Sequence, residues 1–561
     1  MTETTLSGQG GDQSPGRKSP GRKSPGSTSP GTERGNPVAP GGGRTVTDAV
    51  TEALVARLAR GVTAGAAPTL VRTRAPFTGE VLAALPESTP ADVREAYRRA
   101  RAAQPGWAAL PVRRRAAVLL RFHDLLLRRQ DEVLDLVQAE TGKSRLHAFE
   151  EVLAVAGAAR HYGRAAAGYL RDRRRGGAVP LLTHTVEARR PKGVIGQISP
   201  WNYPLELSVG DALPALVAGN AIVNKPDTQT ALTALWAREL FTEAGLPADL
   251  WHIVVGDGPV VGPAVVEGAD YVSFTGSTRT GRDVAQRAAA RLVGASLELG
   301  GKNAMLVLAD ADLDRAAEGA VRACFSSAGQ LCISIERLLV HRDVADAFLE
   351  RFTARVRAMR LGTGLAYGAD MGSLVSRRQL DAVTRHVDEA VRLGATVLTG
   401  GRPRPDLGPL FYEPTVLDGV QDTMAVCAEE TFGPVVSVYR FATEDEAVTR
   451  ANATPYGLNS SVWTRDTRRG RAVAARLRTG TVNINEAYAA AYGSSGAPMG
   501  GMGDSGLGRR HGVEGIHKYT EAQTVATQRL LPIAPSLGMD DAAFAAFFTR
   551  SLKALKALRL K

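Results

Sequence analysis

The sequence predicts an α/β protein with parallel β-sheets, and three observations support that fold class. Five short apolar runs between Gly193 and Gly301 are typical of buried strands. Helical stretches at Thr230–Ala244 and Thr278–Leu292 separate several of these runs. A second series of strands and helices begins at Asn303. Because strands that alternate with helices form parallel sheets through right-handed crossovers, we expect two successive α/β segments.

Each predicted element follows from its local pattern. Helical periodicity begins near Thr47 and dominates from Ala91 to about Leu170, with a break at Pro105–Trp107. The strands of the first series are GVIGQIS, GNAIVNK, LWHIVVG, YVSFTG and SLELGG. The second series has strands at Ala304–Leu308, Arg337–Val340, Val435–Tyr439, Ser460–Trp463 and Thr481–Ile484, and helices at Val344–Met359 and Arg377–Leu393.

Composition limits the class of protein. With 561 residues, 44% of them hydrophobic and 22% charged, the chain is long enough for two or three globular domains. It contains no apolar run of about 18 residues and no N-terminal signal-peptide pattern. Its three cysteines, Cys324, Cys332 and Cys427, form neither a disulfide framework nor a metal-binding motif. We therefore expect a cytoplasmic protein without a metal.

The formal net charge is +12, which raises the possibility of nucleic-acid binding. The basic residues are scattered, however, and arginine-rich stretches such as Val112–Arg129 are typical of solvated helix faces. No groove-reading or RNA-binding motif accompanies the charge, so no nucleic-acid partner is expected.

The two ends of the chain differ from its middle. Residues 1–44 are low in complexity, and the repeat at Ser14–Gly31 lacks apolar side chains, which predicts disorder. Such a segment is either dispensable, an anionic-partner contact or a Ser-Pro phosphorylation target. Residues 541–561 form a basic amphipathic pattern. We favour a helix that docks on its own subunit or on a neighbour, with peripheral contact to an anionic membrane as the alternative.

Two extended segments, Leu181–Gly193 and Lys518–Arg529, lie outside both sheet patterns and are candidates for an intersubunit arm. The predicted organisation is a disordered segment at 1–44, a cofactor domain at 45–174 and 193–300, an oligomerisation arm at 175–192 and 515–530, a catalytic domain at 301–514 and an amphipathic extension at 531–561.

The stretch FSSAGQLCISIER, Phe325–Arg337, places Cys332 among small residues. A thiol in this setting is a candidate nucleophile, because small neighbours leave room for a substrate. Taken alone, Cys332 is better interpreted as a buried structural thiol. The other two cysteines have no such context.

Further motifs occur at the ends of predicted strands. ISPWNYP places the amide of Asn202 just after one strand, and LELGGKN places Glu298 in an otherwise apolar strand. FTGSTRTG is a strand-turn-helix suited to a phosphate at a helix N-terminus. NKPDTQT contributes Lys225, and EETFGPV contributes Glu430 before a Phe-Gly-Pro turn. The glycine-rich GDGPVVG is weak evidence by itself.

Together with the cysteine, these motifs resemble the aldehyde dehydrogenase superfamily over about Thr45–Leu530, and the separation of 34 positions from Glu298 to Cys332 matches that family's spacing. The resemblance implies a Rossmann-type cofactor domain, an α/β catalytic domain and a β oligomerisation arm. It implies that Cys332 is the nucleophile, Asn202 an oxyanion donor and Glu298 the general base. It also implies a homodimer or homotetramer.

The same resemblance implies an NAD(P) site. Its residues would be Ser199, Trp201, Lys225, Asp227, Thr228, Gly258, Gly276, Ser277, Leu299, Glu430 and Phe432. Thr228 stands where NAD-preferring members often carry a glutamate, and without that carboxylate a 2′-phosphate meets no repulsion. We therefore predict NADP, with NAD possible.

The motifs look most like the NADP-type succinate-semialdehyde dehydrogenase branch. Members of that branch place arginines where this chain has Gly210 and Ser326, and the family often has an asparagine where it has Ser327. Succinate semialdehyde is the predicted substrate, and a neutral aliphatic or aromatic aldehyde is the alternative. A CoA-acylating enzyme is disfavoured by Glu298, and a non-catalytic binding protein by the complete set of reactive groups.

Overall fold

The N-terminal part of the chain is mainly helical, as its periodicity predicts. The computed structural model describes residues 45–180 and 182–559, so the predicted disordered segment at 1–44 lies outside the described residues. The first elements are α1 (Val46–Ala49), α2 (Glu52–Ala59), β1 (Leu70–Arg74), β2 (Val81–Pro86), α3 (Pro90–Ala108), α4 (Val112–Arg128), α5 (Gln130–Thr141), α6 (Arg145–Tyr169) and β3 (Arg173–Arg175). Thr89 begins α3 with a capping box to Asp92.

The first α/β segment contains the predicted strands and forms a parallel sheet. Its elements are β4 (Thr183–Pro191), β5 (Val194–Ser199), α7 (Pro204–Val209), α8 (Ala212–Ala218), β6 (Ala221–Pro226), α9 (Ala231–Glu243), β7 (Trp251–Ile253), α10 (Gly258–Gly268), β8 (Tyr271–Thr275), α11 (Thr278–Ala290) and β9 (Gly294–Glu298). Strands β9, β8, β5, β6 and β7 lie side by side in that order, all parallel. Helices cover the sheet, so its central strands are almost entirely buried and read as continuous apolar runs.

The second α/β segment forms a seven-stranded sheet. Its elements are β10 (Asn303–Val307), α12 (Leu313–Phe325), β11 (Ile335–His341), α13 (Arg342–Arg357), α14 (Arg377–Arg392), β12 (Thr396–Thr399), β13 (Thr415–Asp418), α15 (Ala425–Ala428), β14 (Val435–Phe441), α16 (Glu444–Asn452), β15 (Tyr456–Gly457), β16 (Asn459–Trp463), α17 (Thr467–Ala474), β17 (Thr481–Ile484) and α18 (Ala489–Tyr492). The order is β12-β13-β14-β11-β10-β16-β17, and only β12 runs antiparallel to its neighbour. Each sheet has its own hydrophobic core.

The last elements return to earlier parts of the fold. They are β18 (Met502–Gly503), β19 (Gly506–Leu507), α19 (Gly512–His517), β20 (Thr520–Gln528) and α20 (Asp541–Ala557). Strand β19 adds to the edge of the first sheet by pairing antiparallel with β9. Strand β20 pairs antiparallel with β4 along nine residues, and β3 completes a small third sheet. The two extended segments of the sequence are therefore partners of one another.

The C-terminal helix α20 confirms the helical pattern of its sequence. None of its residues is buried, and Phe547 and Leu552 are more than half exposed. Docking of this helix on its own subunit or on a neighbour, or contact with a membrane, therefore stays a prediction. None of the described helices combines the length and the apolar character that a membrane crossing requires.

Candidate active site

Cys332 lies in the connection between α12 and β11. A tight turn at Ser326–Gly329 precedes it, and φ is positive at Ser327, Ala328 and Gly329. A Cβ added to Gly329 would lie 2.0 Å from the carbonyl oxygen of Gly433, so only glycine allows this turn to pack against the neighbouring loop. The cysteine is consequently presented by a rigid turn.

Asn303 fixes the far side of the same turn. Its Nδ2 donates hydrogen bonds to the carbonyl oxygens of Cys332 and Ser334, both at 2.7 Å. Its Oδ1 accepts from the backbone N–H of Asn459 on β16. One side chain therefore links the cysteine to the strands β10 and β16 of the second sheet.

The three residues predicted to be catalytic, Cys332, Glu298 and Asn202, line a single cavity of about 420 Å³. Glu298 and Asn202 are 6% and 5% exposed, and Cys332 is partly buried. They come from three separate elements: the end of β9, the loop after β5, and the turn before β11. The fold thus brings together the groups that a thiol-based acyl chemistry needs.

Asn202 is held by a buried ion pair. Lys143 Nζ donates to the carbonyl oxygen of Asn202 at 2.6 Å and to Glu151 Oε1 at 2.7 Å. The other carboxyl oxygen of Glu151 accepts from the backbone N–H groups of Leu205 and Glu206 at the start of α7. The Asn202 Nδ2 donates to the carbonyl oxygen of Gln330 at 3.1 Å. Since an amide has two N–H groups, one donor stays available to a ligand.

Protonation in the cavity follows from burial. Burial raises the pKa of the Cys332 thiol to about 12, and the nearby Glu298 carboxyl adds to this shift. Burial also raises the pKa of Glu298 to about 7, against a smaller lowering by the Arg510 charge. The cavity therefore contains a neutral thiol beside a carboxyl group that titrates near neutrality.

Glu430 and Phe432 lie in a turn that adjoins the cysteine segment. Glu430 Oε1 accepts from the backbone N–H of Gly301 at 2.8 Å, and a Cβ added to Gly300 would lie 2.4 Å from Glu430 Oε2. Burial, with the charge of Glu336 as the next cause, raises the pKa of Glu430 to about 8. The Phe432 ring meets the Trp201 ring edge to face at 5.5 Å.

A second buried ion pair supports that turn. Lys302 Nζ donates to Glu336 Oε2 at 2.5 Å, and the Glu336 carboxylate accepts from the backbone N–H groups of Thr431 and Phe432. Gln379 Nε2 donates to the carbonyl oxygens of the same two residues. Sequence reasoning missed this support, because Glu336 stands just before the predicted strand Arg337–Val340.

The other predicted cofactor residues follow the carboxyl-terminal edge of the first sheet, where parallel strands bind nucleotides. Ser199 ends β5, and its hydroxyl contacts the Ser208 hydroxyl at 2.9 Å. Lys225 is 7% exposed in β6, and burial lowers the pKa of its ammonium group. Asp227 accepts from the backbone N–H of Gln229, and the Thr228 hydroxyl donates to the carbonyl oxygen of Gly256 at 3.0 Å.

The glycine-rich turns lie along the same edge. Ser277 caps α11 by accepting from the N–H of Thr280, directly after Gly276. Leu299 is buried, and a Cβ added to Gly281 would lie 2.5 Å from its side chain. Gly258 is the first residue of α10, and a Cβ added there would meet open space, so packing does not explain this glycine.

Sequence reasoning missed most of the charged and aromatic lining of the cavity. The additional residues include Glu150, Arg160, Glu206, Tyr488, Tyr492 and Arg510. The Tyr488 hydroxyl donates to Glu150 Oε1 at 3.0 Å, and its oxygen lies 2.8 Å from Ser326 Oγ. The only sequence signal for Arg510 was a pair of arginines at the end of a glycine-rich stretch.

The three positions that depart from the resemblance are accounted for by their neighbours. A Cβ added to Gly210 would lie 2.5 Å from Glu206 Oε1, so the Glu206 carboxyl occupies the space that a side chain would need. Ser326 Oγ lies 2.8 Å from the Tyr488 hydroxyl, and Ser327 donates to the Tyr203 hydroxyl at 2.9 Å. No arginine stands at any of these positions.

Comparison with known proteins identifies the family. Residues 62–525 match the profile described as the aldehyde dehydrogenase family. A protein of Mycolicibacterium smegmatis with the provisional name succinate-semialdehyde dehydrogenase, NADP(+), is 53% identical over 482 residues, which cover 86% of this chain and 93% of the relative. A betaine aldehyde dehydrogenase of Rhizobium etli is 39% identical over 82% of this chain and 93% of its own length.

Solved structures agree. An aldehyde dehydrogenase of Bacillus cereus in complex with NAD⁺ has a TM-score of 0.79 at 34% identity, over 83% of this chain and 96% of that chain. An NADP-dependent enzyme of E. coli has a TM-score of 0.80 at 32% identity, over 83% of this chain and 97% of that chain. The chain belongs to the aldehyde dehydrogenase family.

Proposed function

We propose that the protein oxidises succinate semialdehyde to succinate with NADP, through a thiohemiacetal and then a thioester on Cys332. The observation that supports the reaction is the arrangement of Cys332, Asn202 and Glu298 around one cavity. A nucleophile, an oxyanion donor and a carboxyl group that titrates near neutrality are the parts that aldehyde oxidation by acyl transfer requires.

The first step is proton removal from the thiol. Because burial keeps the Cys332 thiol neutral, a base must accept its proton, and Glu298 is the carboxyl group that raises the pKa of this thiol most. The thiolate adds to the aldehyde carbon, and the Asn202 amide with the Cys332 backbone N–H binds the developing oxyanion. Loss of one such donor typically costs about 10²–10³ in rate.

The cofactor site lies along the carboxyl-terminal edge of the first sheet. Lys225, the Gly276–Ser277 turn at the start of α11, Glu430 and Phe432 would hold the nucleotide, and the turn leaves backbone N–H groups for a phosphate. When bound, the nicotinamide ring supplies the hydride acceptor. Once Glu298 has passed the thiol proton to solvent, its carboxylate takes a proton from the water that attacks the thioester carbonyl. The C–S bond then breaks, the Cys332 thiolate leaves and takes the proton back from Glu298, and the carboxylic acid is released.

We infer NADP in preference to NAD from Thr228. Its side chain carries no charge, so nothing there repels a 2′-phosphate, and the buried ammonium of Lys225 is near by in the sequence. The Thr228 hydroxyl donates to Gly256, which leaves only its oxygen as an acceptor and makes Lys225 the more important group. The NADP(+) in the name of the Mycolicibacterium smegmatis relative supports this choice.

The name of the same relative supports succinate semialdehyde, as do the two arginines that line the cavity. A neutral aliphatic or aromatic aldehyde is the second candidate. It is favoured by the apolar part of the lining, which includes Leu153, Leu331 and Met499.

The proposal includes a dimer or tetramer that assembles through the β3–β4–β20 sheet. Eight of the nine residues of β20 are exposed in the single chain, so this strand is available to a second subunit.

A substrate panel tests the proposal. Initial rates of NADPH or NADH formation would be measured with succinate semialdehyde and with butanal, each with NADP and NAD, and with and without CoA. We expect the highest kcat/KM for succinate semialdehyde with NADP and no dependence on CoA. An equal or higher kcat/KM for butanal would refute succinate semialdehyde as the substrate and favour a neutral aldehyde. A requirement for CoA would show that the thioester is transferred to the CoA thiol and is not hydrolysed.

A further inference from the structure

A buried arginine belongs to the wall of the catalytic cavity. Arg510 is 3% exposed and lines the same cavity as Cys332 and Glu298. Its backbone forms both hydrogen bonds of an antiparallel bridge to Met499, so the position of the residue is fixed by the main chain. The guanidinium group is therefore a permanent positive charge at the reaction site.

The charge of Arg510 is only loosely paired. Its Nη2 lies 3.2 Å from Asp211 Oδ2 and 3.6 Å from Glu206 Oε2. Both Nη2 and Glu206 Oε2 are buried without a hydrogen bond among the described residues. A guanidinium has five N–H donors in a planar fork, and none of them is committed to a good bidentate carboxylate pair here.

Asp211 is shared with other donors. Lys518 Nζ donates to its Oδ1 at 3.0 Å, and the Tyr519 hydroxyl donates to the same oxygen at 3.1 Å. With Lys518 and Arg510 on one side and Glu206 and Asp211 on the other, the buried cluster has two charges of each sign. Asp211 is thus shared between Lys518 and Arg510, while Glu206 and the carboxyl group of Glu298 also act on Arg510.

The other charged groups of the cavity are engaged or exposed. The Glu150 carboxyl accepts from Tyr488 and, at 3.2 Å, from Tyr203, and burial raises its pKa. Arg160 lines the cavity but is exposed to solvent. Arg510 is the buried cation of the cavity lining with unsatisfied donor capacity.

We propose that Arg510 is the specificity-determining residue that binds the distal carboxylate of the aldehyde substrate, taking it as a partner in place of Glu206. The assignment rests on the proposed function, and it names the group that selects an ω-carboxy aldehyde over a neutral one. When a neutral aldehyde binds, the buried guanidinium group of Arg510 gains no partner. The free-energy cost of that unpaired group disfavours the neutral aldehyde.

Two variants separate this role from a structural one. In the double variant R510Q/E206Q one charge of each sign is removed, so the cluster stays balanced and no buried charge is left unpaired. R510K keeps the charge but loses the planar fork. The measured quantity is the ratio of kcat/KM for succinate semialdehyde to that for butanal, both with NADP, alongside Tm for each variant.

We expect R510Q/E206Q to lower this ratio by about 10–100-fold, in line with the loss of a hydrogen bond between charged groups. R510K should lower it by about tenfold, because a lysine replaces bidentate pairing by a single contact. E206Q alone removes the competing carboxylate, so its ratio should equal or exceed that of the wild type. The matched control R164M, at an exposed arginine of α6 that does not line this cavity, should change the ratio by less than about threefold.

The outcomes distinguish the two proposals. A wild-type enzyme that does not prefer succinate semialdehyde refutes the proposed substrate and with it the role of Arg510. A wild-type preference that survives in R510Q/E206Q refutes Arg510 alone. An equal loss for both aldehydes also refutes it, since that result shows a structural contribution and no selection.

Discussion

The two sides of Cys332 are built in different ways. On the cofactor side, the predicted residues lie in turns after successive strands, and much of the surface is backbone and small side chains. On the substrate side, charged and aromatic side chains from α6, α7, α18 and the segment before α19 meet in one cavity. The first side is made of short local motifs, and the second is made of long-range contacts.

This difference explains what each side can specify. Backbone donors at a strand-turn-helix suit a phosphate or ribose that every nicotinamide cofactor shares. Buried ion pairs such as Arg510 with Glu206 and Asp211 respond to the charge of one particular ligand. The shared chemistry therefore belongs to the turns, and selection among aldehydes belongs to the buried charges.

Replacement of the nucleophile should abolish aldehyde oxidation, because the reaction needs the thiol that lies between the cofactor side and the substrate side. We expect C332S to lower kcat by at least about 10³-fold, because a serine hydroxyl is a far weaker nucleophile without a strong base. C427S is the matched control, since Cys427 lies in α15 and is absent from the cavity lining. Steady-state NADPH formation measures both variants, and a C332S enzyme with more than a tenth of wild-type activity would contradict the role of this thiol.

The protonation of Glu298 should set the pH dependence of kcat. With a pKa of about 7 in the folded protein, Glu298 is a carboxylate above pH 7 and a carboxylic acid below it. Activity should therefore rise as pH increases through 7 and level off above it. E298Q should lose about 10²–10⁴ in kcat and the inflection near pH 7. A kcat–pH profile from pH 5.5 to 9 tests this, and an E298Q profile with the same inflection would assign it to another group.

The cofactor side should be separable from the substrate side. T228E places a carboxylate beside the expected 2′-phosphate, and we expect the ratio of kcat/KM for NADP to that for NAD to fall by about 10–100-fold. T228V, which lacks the hydrogen bond to Gly256 but adds no charge, controls for structural damage. The ratio between the two aldehydes should stay within about threefold in both variants, since Thr228 is absent from the cavity lining. An unchanged NADP-to-NAD ratio in T228E would place the 2′-phosphate elsewhere.

Most of the fold was predictable from local patterns. The alternation of apolar runs and amphipathic stretches predicted both parallel sheets, and the aldehyde dehydrogenase fold class is confirmed. The hairpin of β1 and β2 was missed because it lies within the mainly helical part of the chain, and only three of its eleven strand residues are buried. Strand β12 was missed for a similar reason, since none of its four residues is buried.

The site was predictable only where one short motif carries the reactive group. Cys332, Glu298 and Asn202 stand in such motifs, and the structure places all three on one cavity. Asn303 and Arg510, by contrast, contribute through contacts with residues that are distant in sequence. Arg510 lies about 300 residues after its partners Glu206 and Asp211. No periodicity or turn pattern reports a contact of that kind.

The pairing of β19 with β9 has a mechanical consequence. Gly506 is opposite Glu298 in the ladder, and the N–H of Leu299 donates to the carbonyl oxygen of Ser505 at 3.0 Å. The segment that leads to Arg510 is therefore fastened to the strand that carries the base. Cys332, by contrast, precedes β11 and is tied by Asn303 to the second sheet. If the two sheets shift against one another during turnover, Glu298 and Arg510 move as one unit. The shift then changes the distance from both residues to the Cys332 thiol.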